Sequence, residues 1–128
     1  MKLLIGLAFI LAFNSCSEDA RLEKYNKIID ACDKVRVYKK LVGNDFELVK
    51  EIVGKEELLI LKEILKNGIN PEIRMKFVAD KKFEIFKGNK IVGYLLTNGS
   101  KERPFANFVN DEFGFGFRLP YRIGMYPY

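Results

Sequence analysis

Cys16 is the first residue of this chain whose type and position could do chemistry. It is one of only two cysteines. Ahead of it stand Lys2, an unbroken apolar run of eleven residues from Leu3 to Phe13, and then Asn14-Ser15. That order, one positive residue, an apolar stretch and a small residue, is the order of an export signal. The run is too short to cross a hydrocarbon core as a helix, which takes about 20 residues. A thiol at this point is a modification site, a residue discarded with the leader, or an ordinary core thiol. The second cysteine, Cys32, closes Ile28-Ile29-Asp30-Ala31-Cys32 and reads as a small buried hydrophobe. A Cys16–Cys32 bridge would close only a short loop across a predicted helix.

Other chemistry is thin. The chain has no histidine, which removes the commonest acid–base catalyst and the commonest metal ligand. Ser17 and Ser100 therefore have no imidazole to activate them. Asp30 and Asp33 lie one helical turn apart, and Asn110-Asp111-Glu112 is a short acidic loop. Neither has the oxygen-ligand spacing and glycine turn of an EF-hand, so both read as solvated charge, with no metal and no cofactor expected. Paired carboxylates could serve glycoside hydrolysis, but nothing in the spacing places any two across a cleft.

The C-terminal aromatics are the densest feature. Phe113, Phe115 and Phe117 alternate with Gly114 and Gly116, with Phe105, Phe108, Tyr121, Tyr126 and Tyr128 nearby and Arg103, Arg118 and Arg122 among them. One reading is a stacking platform for sugars or bases. The other, which we prefer, is a core-facing row whose glycines admit a neighbouring backbone. Gly114-Phe115-Gly116-Phe117 matches the centre of an RNA-recognition strand signature. Its flanks do not, and the required βαββαβ order is missing, so nucleic acid is not an expected partner. The lysine pairs Lys39-Lys40 and Lys81-Lys82 read as the solvent face of hairpins, with anionic lipid headgroups as the alternative contact.

Residues 13–16, Phe-Asn-Ser-Cys, resemble the end of a bacterial lipoprotein signal peptide. Ser15 takes the small position and Cys16 the invariant one. Phe13 and Asn14 stand where aliphatic and small residues are usual, so the motif is a relaxed one. The resemblance implies that residues 1–15 are removed and that Cys16 receives a thioether-linked diacylglycerol and fatty acyl chains of the palmitate type. Residues 16–21 then form a lipidated tether and residues 22–128 a single small domain. Glu18-Asp19 resembles sorting signals that carry some lipoproteins to the cell surface. The expected location is the bacterial cell envelope, anchored to the inner or outer membrane. Plain secretion, with cleavage after Ser17, and a cytosolic chain with a buried N-terminal helix are the alternatives.

The elements that must position these residues follow from periodicity. Leu22, Tyr25, Ile28, Ile29 and Cys32 recur at helical spacing and predict a helix over 20–33. Val35, Val37 and Leu41 then alternate, predicting a strand over 34–42. Gly43-Asn44-Asp45 is a turn, after which 46–53 returns as a second strand, although FELVKEIV also suits a helical period. KEELLILKEILKNG is the clearest helix, with acids in its first turn, Lys66 in its last, Gly68 at the cap and Pro71 beyond. Because Leu58-Leu59-Ile60-Leu61 is apolar almost all round, that helix should be covered on more than one side. From Ile73 the chain reads as strands: IRMKFVA, the hairpin KFEIFKGNKIVGYLL around Gly88-Asn89, residues 105–109, and FGFGFRL. Pro120 and Pro127 limit pairing at the end. The expected fold is α+β, two helices packed on a mainly antiparallel sheet in the order hairpin, helix, β-meander.

The 128 residues are enough for one domain, and the formal charge of +5 is too diffuse to mark a nucleic-acid binder. The expected function is a small, non-catalytic envelope lipoprotein that binds a protein or an envelope component. An inhibitor or immunity-type protein that occludes a toxin or hydrolase, and a minimal carboxylate hydrolase, are the alternatives.

Overall fold

The computed structural model describes residues 18–43, 45–66, 70–72, 79–98 and 105–119. The leader with Cys16, the cap at Gly68, the strand expected over IRMKFVA apart from its last residue, and the two late prolines lie outside these residues.

The described chain runs α1 (Glu18–Ala31), β1 (Lys34–Lys40), β2 (Phe46–Ile52), α2 (Lys55–Lys66), β3 (Asn70–Glu72), β4 (Lys81–Lys87), β5 (Lys90–Thr97), β6 (Phe105–Val109) and β7 (Gly114–Arg118). The strands form one sheet in the order β2-β1-β4-β5-β6-β7-β3, and every pairing is antiparallel. The fold is therefore α+β. Residues 46–52 take the hairpin alternative, as strand β2. The first helix starts at Glu18, inside the stretch expected as tether. Asp19 suits the positive end of a helix dipole, so the polar stretch is compatible with a longer helix.

β4, β5, β6 and β7 run as the expected antiparallel meander. β2 and β3 lie at opposite edges of the sheet, so α2 carries the chain from one edge to the other. β4 returns to the middle and pairs with β1 as well as with β5.

Strand alternation sorts the side chains onto two faces. Val37, Phe83, Leu95, Phe108 and Phe115 stand opposite one another in a row across β1, β4, β5, β6 and β7, and all are buried. Val35, Ile85 and Ile52 continue that face, and Tyr25, Ile29, Cys32, Leu58, Leu61 and Leu65 from the helices join them in one core. The helices are also pinned to each other end to end. The Tyr25 hydroxyl donates to the Leu65 carbonyl at 2.8 Å, and Lys62 Nζ donates to the Asp30 carbonyl at 2.8 Å. Both carbonyls belong to helix last turns, where no intrahelical donor remains.

One expectation for α2 fails. Leu58 and Leu61 are buried, but Leu59 and Ile60 are more than half exposed. The helix lies on the sheet as an outer layer, so only one stripe of it meets apolar partners. Four consecutive apolar residues span too wide an arc for that stripe.

Candidate functional site: the open face of the sheet

The face turned away from the helices carries a second, different pattern. Lys34, Arg36, Tyr38 and Lys40 alternate with the core residues of β1, and Lys82, Glu84 and Phe86 do the same on β4. Register places Tyr38 opposite Lys82, Arg36 opposite Glu84, and Glu84 opposite Tyr94. This is the consequence of a period-two backbone: residues that interrupt the apolar alternation are collected on one surface.

Cations and rings are interleaved there. The Lys82 ammonium lies 4.8 Å from the Tyr38 ring centre, 5.2 Å from Phe46 and 5.9 Å from Tyr94. Lys34 Nζ sits 4.3 Å above the Phe86 ring, with the Arg36 guanidinium 5.1 Å from it. Phe86 is only 5% exposed although it lies on the open face, because these two side chains are laid over it. At the far side Arg118 stacks 3.8 Å over Phe105. All these separations fall within the range in which a ring quadrupole attracts a cation.

Two carboxylates on this face have partners. Arg36 Nε donates to Glu51 Oε2 at 2.9 Å, and the Tyr38 hydroxyl donates to Glu84. That bond, with some desolvation, holds the Tyr38 phenol above its usual range. The surface that results is cationic and aromatic, suited to a partner with anionic groups beside flat apolar or sugar surfaces. Its parts were present in the alternation of KVRVYKK and KKFEIFK, but only the β1–β4 register brings them together.

A cleft of about 650 Å³ lies between α1, the start of β5 and the β6–β7 turn, with Lys24, Lys27, Lys90, Tyr94, Asp111, Glu112 and Phe113 on its walls. It holds two carboxylates, but they are consecutive, exposed residues of one turn. Glycoside hydrolysis needs acids facing each other across the scissile bond, and this rim does not provide that.

The remaining sequence candidates have structural work. Phe115 and Phe117 are buried and Phe113 packs against the core; the Tyr25 ring lies 5.7 Å from Phe115 and 4.9 Å from Phe117. Among the described residues the row is core and not a stacking platform; Tyr121, Tyr126 and Tyr128 lie outside them. Asp30 pairs with Lys66, and Asp33 Oδ2 accepts from the Gly88 amide at 2.7 Å. Asn110 Oδ1 accepts from the amides of Glu112 and Phe113, both at 2.9 Å, which makes the acidic loop a self-capped turn. Cys32 is a buried thiol pushed up by burial, and so a poor nucleophile. Among the described residues no group of His, Cys, Asp and Glu could hold a metal ion. Cys16, Ser17, Ser100, Arg103 and Arg122 lie outside them. Comparison with known protein families, with curated proteins and with solved structures finds no match to this chain.

Proposed function

We propose that this protein is a small cell-envelope lipoprotein, anchored through Cys16, that binds an envelope component or protein without catalysing a reaction. The observation that carries the binding reading is the interleaving of Lys82, Lys34, Arg36 and Arg118 with five aromatic rings on the open sheet face. The anchoring reading rests on the apolar leader ending in Ser15-Cys16. Acyl chains would hold the domain at a membrane, and tethering would raise its effective concentration toward a neighbour there. The exposed Tyr94 ring would offer a stacking surface, and the cations would hold anionic groups.

Intact-mass analysis of the membrane fraction tests the anchor. A species beginning at Cys16 with about three acyl chains is expected, and it should be lost in Cys16→Ala. An unmodified chain that retains residues 1–15 overturns the reading. For the binding face, Lys82→Ala and Tyr94→Ala should each lower capture of the full chain's envelope partner while leaving its circular dichroism unchanged. Unchanged capture in both moves the binding surface elsewhere.

A further inference from the structure

Among the described residues, seven of the eight exposed large hydrophobic side chains fall between residues 41 and 60: Leu41, Val42, Leu48, Val49, Val53, Leu59 and Ile60. They sit on the tip of the β1–β2 hairpin, on β2 itself, just after it at Val53, and on the first turns of α2. β2 is also the terminal strand of the sheet, and among the described residues no strand pairs with its outer side. A seven-residue edge with Leu48 and Val49 about half exposed is a surface that soluble sheets normally shield.

We propose that this edge pairs antiparallel with the same edge of a second copy of the chain, joining two sheets about a two-fold axis. The charge pattern argues for a copy as the occupant. Glu47 stands opposite Lys39 and Lys50 opposite Val37, and the register shifts between Val37 and Tyr38, leaving Val49 as an extra residue. The bulge puts Glu47 and Lys50 on one face although they are three positions apart. With the axis perpendicular to the sheet and passing between Leu48 and Val49, Glu47 of each copy faces Lys50 of the other, twice. Leu48 then faces Val49, also twice. Moving the axis to Val49 pairs Glu47 with Glu51, and moving it to Leu48 pairs Asp45 with Glu51. Glu51 stands opposite Arg36 on the open face, whereas Glu47 stands opposite Lys39 on the other, the side that Asp45 shares by alternation. Both neighbouring registers therefore pair residues from opposite faces, which the pleat does not allow. Lys50 also bridges to Glu57 of α2, which holds its ammonium at this edge. The open sheet face is less suited to self-association, since its cations would meet one another.

This inference does not depend on lipid anchoring. Sedimentation equilibrium of the full chain in density-matched detergent tests it. A dimer is expected. Glu47→Lys should weaken dimerisation by about tenfold, and Glu47→Lys with Lys50→Glu should recover most of the loss, because the swapped charges again face their opposites. Val49→Lys should abolish the dimer. Glu47 and Val49 are exposed, so circular dichroism of these variants should match the parent. A monomer up to about 100 µM, a dimer indifferent to Glu47→Lys, or a double variant no better than the single one each overturns the proposal.

Discussion

Tyr25 ties three parts of the core together, and its burial has a pH signature. Its ring meets Phe108 edge-on at 5.2 Å and is tilted against Phe115 and Phe117, while its hydroxyl satisfies the Leu65 carbonyl. Burial raises the phenol well above its ordinary value, with the nearby Cys32 adding to the effect. Below about pH 10 the phenol is neutral in folded and unfolded chains alike. Above that the unfolded chain loses the proton and the folded chain keeps it, so stability falls as pH rises. Urea titrations at pH 8 and pH 11 should therefore show a smaller alkaline loss in Tyr25→Phe than in the parent. At pH 8 the variant should be less stable by about 1 kcal/mol, for the lost hydrogen bond. Gly93 is a second residue set by its neighbours. A β-carbon there would lie 2.3 Å from Phe108 Cζ, and that ring is fully buried. Gly93→Ala should cost about 1–3 kcal/mol by overpacking, read as a lower urea midpoint. A lone glycine inside the strand KIVGYLLT is the sequence signal for such a close approach; the ring that approaches, fifteen residues later in the chain, carries no local sign of it.

The elements show where local pattern suffices. The β4–β5 hairpin was legible because its turn and its register are both local: Lys87 pairs with Lys90 around Gly88-Asn89, and Gly88 takes φ +63, as a glycine-first two-residue turn requires. β3 was not legible, since Asn70–Glu72 contains a proline and, among the described residues, pairs only with the distant β7. The helix pair shows a related gap. α1 has no basic residue in its last turn, and α2 supplies one in trans, with Lys62 reaching the Asp30 carbonyl. Lys62→Met should destabilise the fold by about 1 kcal/mol, and Lys62→Arg should retain most of that stability in the same thermal melt. Deleting the α2 stripe is the larger loss: Leu61 is fully buried, so Leu61→Ala should cost about 2–5 kcal/mol. Leu59→Ala, at an exposed site, should cost far less.

At the scale of the molecule, two faces of one sheet divide the work. The helix-covered face supplies stability and the open face supplies the candidate binding surface. Recognition there, as proposed, would be electrostatic, so its strength should depend on salt. Raising ionic strength from about 0.01 M to about 1 M shortens the screening length from about 30 Å to about 3 Å. Partner retention on the immobilised full chain should fall across that range if the open face binds anionic groups; retention that rises with salt would point to the apolar edge at 41–60 instead. The sequence by itself determined the α+β class, the paired periods of helix and strand, the core role of the phenylalanine row and the expectation of a lipidated Cys16. These follow from residue type and short-range spacing. Only the tertiary structure decided that β4 lies beside β1, that Lys82 is ringed by Tyr38, Phe46 and Tyr94, and that Leu59 and Ile60 stay in water. Those outcomes depend on which distant strand pairs with which, and a period of two is silent on the identity of the neighbour.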